Sequence, residues 1–178
     1  MQEEMRKSIK WIFTETSRRY EWYVFRNTFT FCGEEAMINI SALGKYIMYI
    51  NGRYVARGPV TSFDFKKIYD EVEITSYLKE GTNTIAILSQ ETQRGGVFAQ
   101  IIADGTVICS TDESWRVKKY DALCETTNTV CPPLEPVRMN EEWFDARVEK
   151  DILSESMDDS WKTAKYVHGE FQYITKNT

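Results

Sequence analysis

The feature that most narrows the fold is a run of short alternating segments cut at regular intervals by turn residues. Lys45–Ile50 runs straight into Asn51-Gly52 and returns through Arg53–Ala56. Both central residues of a two-residue hairpin need positive φ, which Asn and Gly tolerate, so this is a strong hairpin signal. Asp104-Gly105 repeats the device between Val97–Ala103 and Thr106–Ser110. Arg57-Gly58-Pro59 should end the first return strand, because Pro cannot donate to a ladder. Tyr23–Phe31, Ala36–Ala42, Ile68–Ile74, Thr82–Gln90, Trp115–Lys118 and Trp143–Val148 complete the expected strands. Thr75–Lys79 reads as one helical turn capped by Thr75 or Ser76. Thr126–Pro136 reads as a long surface connection, and no amphipathic helix of ordinary length or internal repeat is visible. Many short strands with frequent turn signals imply an all-β fold, an antiparallel β-sandwich with little helix.

Size and charge bound what such a sandwich can do. At 178 residues the chain can bury a core without disulfides or metal. A net charge of −5 argues against nucleic acid as a partner, because phosphates need a basic patch. Arg18-Arg19, Lys66-Lys67 and Lys118-Lys119 are scattered and read as solvated pairs. The longest apolar run lies within Tyr46–Ile50, too short to span a bilayer, so no membrane partner is expected. The N-terminal residues lack the apolar stretch of a secretory signal, which makes cytoplasmic the expected location. Cys32, Cys109, Cys124 and Cys131 form no CxxC pair, so a zinc site is not expected; Cys124 and Cys131 are close enough to bridge, but a cytosolic chain keeps them reduced, so free thiols are expected.

Candidate chemistry is sparse. The single His168 has no nucleophile elbow to serve. Arg94-Gly95-Gly96 is too short for a phosphate cradle. Glycoside hydrolysis needs two carboxylates, and Asp64, Asp70, Glu71 and Glu73 form the dense cluster. Glu71 and Glu73 alternate with apolar residues and should face solvent, while Asp158-Asp159 lies in a polar tail. No stretch has EF-hand spacing, so calcium is possible but not indicated and no cofactor is expected. Aromatic residues are 13% of the chain, and rings can stack on sugar faces. Trp11, Trp22, Tyr23, Tyr49, Tyr54 and Tyr69 are candidates for that role, although in an all-β chain most aromatics serve as core or cross-strand partners.

One block is more specific. It runs Tyr49-Ile50-Asn51-Gly52-Arg53-Tyr54-Val55-Ala56-Arg57-Gly58-Pro59, then Ile68-Tyr69-Asp70 with Val72-Glu73-Ile74-Thr75, then Tyr77-Leu78-Lys79-Glu80-Gly81-Thr82-Asn83-Thr84-Ile85-Ala86-Ile87. This resembles the accessory β-sandwich of bacterial α-L-rhamnosidases. Phe25–Phe29, Thr111–Val117, Phe144–Arg147 and Met157–Ala164 resemble further segments of the same family, so the likeness extends over most of the chain. The resemblance implies a jelly roll of the galactose-binding-domain type, with a lead-in over 1–22, the sandwich over 23–150 and a C-terminal extension over 151–178 leading toward a catalytic region. In that family a separate helical barrel performs hydrolysis, so no catalytic residue is carried over.

The implied function is that of a non-catalytic domain of an α-L-rhamnosidase-like glycoside hydrolase. Its partner would be its own catalytic domain, and it would shape substrate access. One alternative is a stand-alone carbohydrate-binding module for rhamnose-containing glycans, with Tyr54, Arg57, Asp64, Tyr69 and Arg94 as contacts. A second is a small hydrolase using Asp64 or Asp70. Some sandwiches of these enzymes bind rhamnose with calcium and carry a Trp-rich loop. The matching segment here, Gln90–Gly96, has no Trp.

Overall fold

The computed structural model describes residues 10–15, 21–60, 62, 67–90, 96–125, 142–147, 157–166 and 174–176. In chain order the strands are β1 (Ile12–Phe13), β2 (Trp22–Phe31), β3 (Ala36–Ala42), β4 (Lys45–Ile50) and β5 (Arg53–Gly58). Then come β6 (Lys67–Glu73), β7 (Gly81–Gln90), β8 (Val97–Ala103), β9 (Thr106–Ser110) and β10 (Arg116–Lys119). The last are β11 (Leu123–Glu125), β12 (Glu142–Phe144), β13 (Lys162–Thr163), β14 (Lys165–Tyr166) and β15 (Ile174–Lys176). One main sheet has the order β13-β10-β2-β7-β4-β5; the other has β14-β1-β8-β3-β6-β15, with β9 also on β8; β11 and β12 pair apart from both. Sequence neighbours are distributed between the two sheets, and all pairings but β6 with β15 are antiparallel. This is the expected all-β sandwich.

Both hairpins form where the turn chemistry demands. Asn51 and Gly52 have φ of 50° and 78°, and Asp104 and Gly105 have 47° and 79°. Between the sheets, Tyr23, Phe25, Met48, Ile85 and Ile87 meet Ile38, Ile40, Ala99 and Ile101 in the main core. Each large side chain so buried contributes about 1.5–3 kcal/mol. Alternate residues of β2 and β7 point the other way. There Trp22, Val24, Ala86 and Leu88 pack with Tyr120, Ala122 and Trp161 in a smaller cluster on the outer face of the six-stranded sheet.

Several local expectations shift. The helical turn is a single 3-10 turn, Thr75–Tyr77, with no side-chain cap. Thr75 Oγ1 instead accepts from the Ala36 amide at 2.8 Å, while the Glu73 carboxylate accepts from the Thr75 amide at 2.7 Å. The strand expected from Trp115 starts one residue later, because Trp115 closes a turn by donating its amide to the Asp112 carbonyl. The strand expected at Trp143–Val148 is observed as Glu142–Phe144 and is not the last; Val148 lies outside the described residues, as does Thr126–Pro136.

Strand pairing also reaches beyond 23–150. β1 joins the seven-stranded sheet, and five consecutive residues near the C-terminal end touch both sheets. Lys162–Thr163 pair with β10 and Lys165–Tyr166 with β1. At the crossing, the Ala164 amide donates to the Trp115 carbonyl at 3.0 Å. The segments before β10 and β13 are the same turn made twice, Asp112-Glu113-Ser114-Trp115 and Asp158-Asp159-Ser160-Trp161. In each, the Asp carboxylate accepts from the Ser amide and hydroxyl, and the Trp that follows is buried.

Candidate functional site

The motif residues of the hairpin block are built into the scaffold. Asn83 is 1% exposed. Its Nδ2 donates to the carbonyls of Lys79 (2.7 Å) and Gly81 (2.9 Å). Its Oδ1 accepts from the Lys79 amide at 2.9 Å and from Asn51 Nδ2 at 2.7 Å. Asn51 in turn donates to the Tyr77 carbonyl and accepts from the Thr84 amide. Arg53 donates to the Ser76 carbonyl at 3.1 Å and lies 4.9 Å over the Tyr77 ring. Asn51 thus forms its own hairpin and also ties β4–β5 to the loop that leads into β7. The sequence shows two turn residues; their mutual bond is invisible there because they lie 32 positions apart.

Of the five expected sugar contacts, the three that lie among the described residues are divided between the two sheets. Tyr54 is 53% exposed on β5 and meets Tyr49 edge-on, with ring centroids 6.1 Å apart. Arg57, three residues on, is also exposed and pairs across the ladder with Ile47. Tyr69 sits on β6 in the other sheet and is buried, 6% exposed. Asp64 and Arg94 lie outside the described residues. Of the other aromatic candidates, Trp11, Trp22 and Tyr23 are buried, which fits the core role.

Asp70, one of the two weighed carboxylates, faces inward. Its Oδ2 accepts from the Tyr46 hydroxyl at 2.7 Å, joining β6 of one sheet to β4 of the other. Burial, and then this hydrogen bond, push the Tyr46 phenol well above its usual value. Space beside the pair is closed by Gly58, where an added Cβ would lie 2.5 Å from Asp70 Oδ2 and 2.9 Å from the Tyr46 ring. Asp70 is therefore a link between sheets. Glu71 and Glu73 are exposed, as their alternation implied.

A groove of about 470 Å³ opens beside β2, β10 and β13, lined by Thr14, Tyr23, Lys118, Lys162 and an ion-pair group. In that group Lys119 Nζ lies 2.9 Å from Glu21 and 3.4 Å from Asp121, and the Tyr23 hydroxyl donates to Glu21 at 2.5 Å. The hydrogen bond with Glu21 is the main cause holding Lys119 above its usual value. Sequence reasoning missed this group, whose members come from two stretches far apart in sequence, around the start of β2 and the end of β10, and form no motif. Tyr54, Arg57 and Tyr69 do not line it, whereas Tyr23, one of the aromatic stacking candidates, does. Among the described residues, no group of three or more His, Cys, Asp or Glu is placed to hold a metal ion. Nor is any described helix long and apolar enough to cross a membrane.

Comparison with known proteins places this geometry. Residues 33–95 match the family model described as the α-L-rhamnosidase N-terminal domain. No curated protein sequence matches the chain. Among solved structures, the GH78 family rhamnosidase of Bacillus sp. GL1 aligns with a TM-score of 0.77 and 26% identity, covering 95% of this chain and 20% of that one. The α-L-rhamnosidase from Dictyoglumus thermophilum aligns with 0.75 and 20% identity, covering 100% and 23%. A Pleurotus ostreatus lectin in complex with GalNAc shares the fold at 0.57 and 21% identity, covering 93% of this chain and 44% of the lectin. The chain therefore spans about a fifth of the length of these rhamnosidases.

Proposed function

We propose that this chain, whose residues 33–95 match the α-L-rhamnosidase N-terminal domain family, serves as a non-catalytic part of a longer α-L-rhamnosidase-like glycoside hydrolase. Its role there is to pack against the catalytic domain and help shape the approach of a rhamnose-bearing substrate. One observation carries the non-catalytic assignment: the two asparagines and the aspartate of the family motif hold the sandwich together. Asn51 and Asn83 bond each other and the adjacent backbone, and Asp70 bonds the Tyr46 phenol. An acid–base pair for glycoside hydrolysis needs two carboxylates aimed at a shared substrate space. Asp70 is instead half-buried and bonded to the Tyr46 phenol between the sheets.

The test is hydrolysis of an aryl α-L-rhamnoside by the 178-residue chain and by the complete polypeptide that contains it. The chain alone should release no more aryl alcohol than buffer, and the complete polypeptide should turn over. Activity of the chain alone that disappears in Asp70→Asn would overturn the assignment.

A further inference from the structure

We infer that the β4–β5 hairpin is the face by which this domain docks on the remainder of its own polypeptide, and that the surface it meets there is acidic. The inference rests on the proposed membership of a longer enzyme. Charge is its first support. The chain carries 27 acidic and 22 basic residues, yet Ala36–Phe63 contains no Asp or Glu and three cations, Lys45, Arg53 and Arg57. β4 and β5 lie inside that stretch and end the six-stranded sheet among the described residues. On the other sheet, β6 carries the exposed Glu71 and Glu73. Arg53 is held to the Ser76 carbonyl and Asp70 meets Tyr46 on the inner face, so the basic character of the outer face rests on Lys45 and Arg57, and such an edge favours an acidic counterpart while disfavouring wrong ones.

The register supplies the second support. Tyr46, Met48 and Ile50 point into the main core, so Lys45, Ile47 and Tyr49 point outward. Arg57 lies opposite Ile47 and Tyr54 opposite Tyr49 on the same outer face. Ile47 and Tyr49 are half-buried, and inward of them the face continues into the buried Leu88 and Ala86. Tyr54 and Val60, just past the end of β5, are 53% and 54% exposed. The result is an apolar shelf with an aromatic anchor and an arginine beside it, the composition found at the centre of interfaces. A tethered partner needs only a modest surface, because the linker supplies a high effective concentration, and contacts between domains of one chain are more polar than obligate interfaces. In the aligned rhamnosidases a sandwich of this size is about a fifth of the chain, so most of the polypeptide remains to supply that partner.

The test compares maleimide labelling of Tyr54→Cys with that of Val107→Cys, which is 50% exposed on β9 of the other sheet. Both are measured in the 178-residue chain and in the complete polypeptide, and read peptide by peptide by mass spectrometry. Labelling at position 54 should slow at least tenfold in the complete polypeptide, with position 107 unchanged. Adding Arg57→Glu should return position 54 toward the rate of the isolated chain. Equal rates at position 54, in a polypeptide whose mass shows it to be longer and which hydrolyses the aryl rhamnoside, would overturn the docking face and leave the proposed function standing. A natural polypeptide no longer than this chain would overturn the proposed function itself. Slowing in the isolated chain as its concentration rises would assign the face to a second copy. Slowing on addition of a rhamnose-containing oligosaccharide would assign it to a glycan. Either result overturns the inference.

Discussion

Asn83 is a polar side chain in a buried position, and all four of its hydrogen-bonding opportunities are met. Removing it takes away the partner of the Lys79 amide and of one Asn51 proton at a part-buried site, and leaves a void where the buried side chain stood. Asn83→Ala should therefore destabilise the domain by about 2–4 kcal/mol, read as a lower urea midpoint with unchanged slope. A loss below about 0.5 kcal/mol would show that the network is incidental. Tyr46 makes a prediction about pH. Its phenol is raised by burial and by Asp70, whereas the unfolded side chain ionises near its ordinary 10.0. Below that pH Tyr46 is protonated in both states and its contribution is fully present. Above it the unfolded chain releases a proton that the folded one retains, so stability falls by about 1.4 kcal/mol per pH unit. Cys109 acts in the same direction between its ordinary 9.0 and the value of about 12 to which burial, aided by Asp112, pushes it. In a Cys109→Ala background, Tyr46→Phe should flatten the decline above pH 10 by that amount in chemical denaturation. An unchanged decline would show that the phenol ionises as readily in the folded protein as in the unfolded.

The elements show what the sequence could reveal. Alternation and positive-φ turn residues made β2 to β9 legible nearly to the residue, because those rules act within a hairpin or a single strand. The two-sheet arrangement also followed, since short strands with this spacing have few other ways to cover both faces. What stayed hidden depends on partners distant in sequence. Trp115 looks like part of a strand in sequence, but the turn from Asp112 competes for its amide. The polar stretch around Asp158 gave no strand signal, yet its turn sets Trp161 into the outer cluster and starts β13. Two-residue strands carry no periodicity of their own; β13 and β14 exist because β10 and β1 offer unpaired edges. For the site, alternation placed Glu71 and Glu73 correctly in solvent, whereas Tyr69 and Tyr54 look equally available in sequence and differ ninefold in exposure. The crossing strap yields a prediction at this scale. Trp161→Ala should cost about 3–5 kcal/mol and speed amide exchange in β10, leaving the β2–β7 centre protected. Uniform exchange across both regions would mean that the strap does not secure that edge separately.

At the scale of the whole molecule, an acidic sandwich with its motif residues committed to its own scaffold and a basic, aromatic edge is better suited to serving a larger enzyme than to acting alone. The fold carries little chemical information by itself, since one sandwich architecture hosts rhamnosidase domains and a fungal lectin alike. What discriminates is the company the domain keeps, and the aligned rhamnosidases are four to five times its length. The most direct measurement is the size of the native polypeptide detected in the source cells by an antibody raised against the 178-residue chain. The account predicts a single product roughly four to five times the length of this chain, with rhamnosidase activity co-depleted by the same antibody. A product of this chain's own length, with activity left behind in the supernatant, would contradict it.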